Sequence, residues 1–280
     1  MSLASGTAQA LTRPASAKAA AGLRDTLHAE WTKLRTAPGT IGLLTAAVAL
    51  TGAVSAAAAA ATRCPAAGCG QDPARVSLTG IYLGQVVVAI VAVLAISGEY
   101  GSGMIRTTLA AMPRRTTVLA AKAVLVTSLM LVAGTLAILG SLLAGWLILP
   151  GHGFTAAHGF APLSLADGPV LRAAAGSALY LALIALLSLG TATAVRDSAV
   201  AIGIVLGLLY LFPIVTAVVS DSRVQRHLQQ IAPMTAGLDI QATIGLRNLP
   251  LSPWAGLGVL AAWAAGALLI GGLLLRLRDA

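Results

Sequence analysis

Charge is scarce in this sequence. Only 10% of the 280 residues are Asp, Glu, Lys or Arg, against roughly 25% in a soluble domain. No enlargement of a globular core covers that deficit. Aromatic residues are equally thin at 4%, and no basic cluster is interleaved with them. The net charge of +9 and pI near 10.6 therefore do not read as a nucleic-acid footprint. The chain has two cysteines and four histidines. His152, His158 and His227 stand without ligand spacing, so no metal centre is expected. Catalytic signatures are missing as well: no H-E-x-x-H, G-x-S-x-G or G-x-x-x-x-G-K-[ST] occurs. Gly98, Gly101 and Gly103 form a small cluster, but it has no Lys-Ser/Thr partner and no preceding strand. The chain is expected to be no enzyme and to hold no ATP site of its own.

What fills the sequence is apolar. Hydrophobic residues make up 58% and mean hydropathy is +0.88. Six uncharged runs reach the roughly 20 residues a bilayer-spanning helix needs, near 41–62, 78–97, 123–149, 173–195, 199–219 and 254–275. The expected fold is an all-α integral membrane protein. Arg196, Asp197 and Ser198 alone separate the fourth and fifth runs, which requires a tight hairpin.

Orientation follows from Lys and Arg in short loops. One side would carry Arg63, Arg75, Arg172, Arg223, Arg226 and Arg247, six cations; the other 12 of the 18 lie on the opposite side with both termini. Both termini are thus expected in the cytoplasm of a multi-pass plasma-membrane protein. Cys64 and Cys69 would then share the first outer loop, where an oxidising compartment permits a bridge. A loop this small would contribute about 2 kcal/mol. Two free thiols remain the alternative.

Residues 1–22 lack a sustained apolar period and are expected to be disordered. Leu23, Leu27, Trp31 and Leu34 then recur at spacings of four, four and three, with Arg24, Asp25, His28, Glu30, Lys33 and Arg35 on the other faces. This predicts an amphipathic helix over 23–37, lying on the membrane surface with Trp31 at headgroup depth. Residues 220–253, between spans five and six, are semi-apolar and suit short helices or a re-entrant turn. The spans place no ionisable side chain at mid-membrane depth. Their polar groups are mild: Gln85, Thr127, Ser128, Thr135, Ser141, Tyr180, Ser188, Thr191, Thr193 and Tyr210. That absence argues against a proton- or ion-driven transporter, which relays charge through its bundle. Pro213 predicts a kink in the fifth span. Gly203-x-x-x-Gly207 offers a weak signal for close helix approach.

The most informative stretch lies between spans two and three. SGEYGSGMIRTTLAAMPRRTTVLAAK, residues 97–122, packs one carboxylate, four cations, three glycines and a proline between uncharged runs. Glu99 stands at the exit of the second span. Beyond the flexible 101–103 triplet, Ile105, Leu109 and Met112 share one helical face, with Arg106 turned to the other. Pro113 stops the helix, Arg114 and Arg115 meet headgroups or an acidic partner, and Lys122 enters the third span with a snorkelling side chain. The pattern predicts a short surface helix, hinged by glycine and held at both ends by charge.

Glu99-x3-Gly103, Arg106, Thr108-Leu109, Pro113-x-Arg115 and Lys122 together resemble the cytoplasmic loop of ABC-2-type exporter permeases. HAEWTKLRT before the first span and the ending LRLRDA are similar to that family too. Met104 departs from it, where Thr or Ser is frequent. The resemblance spans essentially the whole chain: interfacial helix, six spans, coupling loop 98–122 and outer loop 220–253. It implies a permease that forms a homodimer, or a heterodimer with a paralogue, over two ABC ATPase subunits. ATP and Mg would be bound by those partners alone. Glu99, Gly103, Ile105, Arg106, Leu109, Met112, Pro113 and Arg115 would form the ATPase-coupling site. The cargo implied is small and amphipathic, a drug, antibiotic or lipid, moved outward among membrane lipids. Alanine and glycine richness, with Arg over Lys by 15 to 3, points to a high-GC bacterial source. Two other readings stay open, a self-sufficient secondary transporter or channel and a non-transporting scaffold.

Overall fold

A computed structural model describes residues 32, 38–65, 70–101 and 115–277. Nine α-helices and four short 3-10 turns occupy these segments, and no strand occurs among them. In chain order the helices are α1 Pro38–Ala61, α2 Pro73–Ser77, α3 Ile81–Gly101, α4 Arg115–Ile148, α5 Gly168–Val195, α6 Ser198–Val218, α7 Ser222–Ile231, α8 Pro233–Leu238 and α9 Pro253–Leu277. Six of them (α1, α3, α4, α5, α6 and α9) are long and apolar enough to cross a membrane. A helix pairs most of its backbone internally, which standing in hydrocarbon requires.

Local chemistry explains several boundaries. Pro38 opens α1, where a missing N–H costs nothing. Between α5 and α6, Arg196 takes φ 65° as the C-cap, and the Asp197 carboxylate accepts from the Val200 N–H at 2.8 Å. The expected hairpin is thus built by a left-handed cap followed at once by an N-cap. Pro213 lies inside α6, and the helix continues through it to Val218. The third span begins earlier than expected: α4 starts at Arg115, and α3 runs on to Gly101. Helix thus takes both ends of 98–122.

α5 is the hub, packing on α3, α4, α6 and α9, while α1 lies outside against α3 and α4. Two-thirds of the most apolar window of α5 is buried (67%), against 22% for α6. The burial follows side-chain size. GPVLRAAAGSALYLALIALLSLGTATAV, rich in Ala, Gly and Ser, lets neighbours close in, whereas SAVAIGIVLGLLYLFPIVTAV carries bulk outward. At the α5–α9 crossing a Cβ on Gly190 would lie 2.5 Å from the Ala267 carbonyl carbon, and one on Gly271 would lie 2.5 Å from the Gly190 oxygen. The Gly203 and Gly207 pair makes no such approach, since a Cβ on either meets nothing within 4 Å.

Residues 219–252 fold as two short helices and two 3-10 turns. Helix α7 rests on the surface with no buried residue. Helix α8 dives inward, burying Pro233, Met234, Ala236, Gly237 and Leu238 against α5, α6 and α9. A Cβ on Gly256 would stand 2.0 Å from the Ala236 oxygen, so α9 approaches α8 through bare backbone. The end of the bundle holding α2, α7 and α8 is the one whose charge balance predicts outward exposure, and is termed the outer end below.

Candidate functional site

Two polar constructions at the outer end and one apolar cleft are candidates. The first centres on Asp72. It caps α2, accepting from the N–H groups of Ala74 at 3.0 Å and Arg75 at 3.4 Å. It also reaches across the fold to accept from Thr243 N–H at 2.6 Å, Thr243 Oγ1 at 2.7 Å and Ile244 N–H at 3.2 Å. One carboxylate therefore joins the first outer segment to the last. Beside it the Arg75 guanidinium donates to Asp239 Oδ1 at 2.8 Å. Burial pushes the Asp239 carboxyl above its usual value of 3.8, and Arg75 pulls the other way. Arg172 from α5 donates to the Ala242 carbonyl, and Gln241 donates to Ser177 Oγ at 3.3 Å.

The second lies deeper, at Gln85 of α3. The Tyr180 hydroxyl donates to Gln85 Oε1. Gln85 Nε2 donates to the Tyr210 hydroxyl at 3.0 Å and faces Met234 Sδ at 3.3 Å. Tyr210 in turn donates to the Tyr82 carbonyl. Four elements, α3, α5, α6 and α8, meet on one side-chain amide. Tyr180 and Gln85 are fully buried, and among apolar walls each such bond is expensive to leave unmade.

The third is a cleft. Helices α6 and α9 both lie on α5 and barely touch each other, leaving a cavity of about 890 Å³. Leu187 and Thr191 form its floor, Ile204 and Leu211 one wall, Trp263 and Ile270 the other. Leu211 and Ile270 are each 58% exposed, so the cleft opens sideways, toward where lipid would lie. Helix α7 closes its outer end. There Trp263 Nε1 donates to the Ile231 carbonyl at 3.0 Å, and Gln230 donates to the Pro250 carbonyl at 3.1 Å.

Most residues singled out from the sequence lie elsewhere. Leu23, Leu27, Trp31 and Leu34 of the interfacial helix fall outside the described residues. So do Gly103, Ile105, Arg106, Leu109, Met112 and Pro113 of the coupling segment. Glu99 is placed near the end of α3 and Arg115 at the start of α4, by backbone alone. Cys64 is buried and disulfide-bonded; Cys69 lies outside the described residues. Lys122 is a correction. Its side chain is 3% exposed and donates to the Ala95 carbonyl at 3.2 Å, so it does not snorkel. It sits two turns inside α4, where α3 already covers it. Among the described residues no group of three His, Cys, Asp or Glu could hold a metal ion.

Sequence reasoning noted Gln85, Tyr180 and Tyr210 only as mild polar groups and Arg75 only as an outer-loop cation, and it passed over Asp72 and Asp239. Asp72-Pro73 did carry a local signal, an N-cap followed by proline at N1. Its pairing with Thr243, 171 residues away, had none. A scan against protein-family models and a search of curated proteins return no match to this chain.

Proposed function

We propose that this chain is the membrane-spanning permease subunit of an ATP-driven exporter of the ABC-2 type, moving a small amphipathic substrate outward across the cell membrane. The observation that carries this reading is the 98–122 stretch, whose Glu99, glycine hinge, Ile105–Leu109–Met112 stripe and Pro113-x-Arg115 stop suit a short helix seated on an ATPase. The membrane-like architecture of six apolar helices is of the kind such a subunit needs. The spans offer no chain of ionisable groups to relay a proton or ion, so the driving energy would enter through a partner. Glu99, Arg106 and Arg115 would contact that partner, which would bind ATP and Mg. Both termini and the amphipathic 23–37 segment would lie on its side of the membrane.

The test is a mild-detergent pull-down of tagged protein from its native membranes, with bound partners identified and assayed for ATP turnover. It is run beside a double charge reversal, Glu99→Lys with Arg106→Glu. An ATPase with Walker motifs should co-purify and be lost or uncoupled in the double variant. Recovery of the chain without any ATPase would overturn the reading and favour a self-sufficient transporter or a scaffold.

A further inference from the structure

The cleft between α6 and α9 is apolar along its length but not at its outer mouth. Gln230 lines both the cleft and a second, polar cavity of about 290 Å³ on α7. Arg223, Arg226 and His227 line that second cavity with it. These residues fall at helical spacings of three, one and three, so one stripe of α7 leads from the cations to the mouth. At about 1.5 Å per residue, Arg226 stands roughly 6 Å along the axis from Gln230. Arg223 and Arg226 are exposed, and neither is in an ion pair among the described residues. The nearest carboxylate on the element is Asp221, and it is engaged as the cap of α7, accepting from the N–H groups of Arg223 at 2.8 Å and Val224 at 3.2 Å.

An apolar slot beginning beneath a pair of free guanidinium groups matches one kind of molecule, a hydrocarbon chain ending in an anion. We propose that the cleft is a binding site for an anionic phospholipid of the leaflet that α7 faces. One acyl chain lies along α5 between Leu211 and Ile270, and the phosphate sits on Arg223 and Arg226. The volume of about 890 Å³ falls within the range of small-molecule sites, roughly 300–1,000 Å³. The slot runs along α9 from Val259 to Ile270, a length of about 16 Å at the helical rise. That suits a fatty chain better than a compact solute. Arginine rather than lysine at the rim favours bidentate contact with phosphate. The site needs neither an ATPase partner nor transport, so it stands or falls apart from the proposed function.

The experiment uses the full chain in phosphatidylcholine nanodiscs. A small fraction of the lipid is brominated along its acyl chains, as either phosphatidylglycerol or phosphatidylcholine. Bromine quenches tryptophan on contact, and Trp263 lines the cleft. Subtracting the signal of Trp263→Phe removes the contribution of the remaining tryptophans, Trp146 and Trp254 among them. Quenching of Trp263 by brominated phosphatidylglycerol should be roughly thirtyfold more efficient than by phosphatidylcholine, the enrichment expected from two arginines on an anionic headgroup. Arg223→Gln with Arg226→Gln should abolish most of that preference, since both side chains are exposed and the exchange empties no packing. Gly207→Leu, which adds bulk where a Cβ meets nothing within 4 Å, should weaken quenching by both lipids. Equal quenching by the two headgroups, or a preference untouched by the double variant, would overturn the proposal. Absence of quenching by either lipid in nanodiscs of dimer mass would overturn it in favour of a second copy covering the cleft.

Discussion

The outer end and the α6–α9 flank of this molecule are built from opposite materials. At the outer end, segments distant in sequence are joined by polar bonds, those of Asp72 and Arg75 charge-assisted. Asp72 holds Thr243 and Ile244, Arg75 holds Asp239, and Gln85 gathers two tyrosines. Along the flank two long helices share a floor and scarcely meet, with bulky side chains pointing away. The difference follows from what each region faces. Loops at a membrane surface must satisfy irregular backbone, so polar side chains are recruited to it. Between helices in hydrocarbon, lipid competes for apolar contact on equal terms, and only small residues bring backbones together.

Substitutions that break the close-packed part of this contrast should have the largest effects. Gly190→Val would drive a side chain into the Ala267–Leu268 backbone of α9. A loss exceeding about 4 kcal/mol is expected, visible as failure to elute as a single species from detergent gel filtration. Asp72→Ala should come next. It removes a helix cap and strands three donors of the last outer segment, at about 3 kcal/mol, read as a lower thermal midpoint with secondary structure retained.

Arg75→Gln should cost less, about 1–2 kcal/mol, because the guanidinium is 41% exposed. Its signature is in the pH dependence. The Asp239 carboxyl is already raised above 3.8 by burial, and losing Arg75 removes the influence that lowers it. The native state then holds this proton to higher pH than the unfolded chain does. The deficit of the variant should therefore be greatest near neutrality and shrink as pH falls through the raised native value. A deficit that grows on acidification would show that Asp239 is not the group left exposed to the change. Tyr180→Phe should cost about 1–2 kcal/mol by leaving Gln85 Oε1 unpaired in an apolar setting, measured in the same thermal scan. Gly207→Ala on the open flank should cost no more than about 0.5 kcal/mol, with helix propensity favouring the alanine. A larger loss there would mean the cleft is filled by protein and the contrast is false.

The spans were legible because transfer into hydrocarbon is read from local composition, and soluble folds rarely contain uncharged apolar runs of about 20 residues. The 196–198 hairpin was equally plain, because two spans cannot follow each other with less chain. Lys122 was misread for the same reason that it was noticed. A lysine at the edge of an apolar run ordinarily reaches for water, and only the position of α3 beside α4 shows that its path is covered. The Gly203 and Gly207 pair was a signal that many small residues made unspecific, while the contacts at Gly190 and Gly271 depend on which faces meet.

By itself the sequence determined the helical architecture found among the described residues, with six helices suited to a bilayer, and it marked where their polar connections fall. Each of those properties is summed over neighbouring residues, so no partner is needed to read it. Tertiary structure alone decided that α5 is the buried hub, that Asp72 reaches Thr243, and that α6 and α9 part to leave a cleft. Apolar helices look alike on every face when both lipid and protein are apolar surroundings. Which face is buried is settled by shape and by a few long-range hydrogen bonds, and neither is written in any short window of the chain.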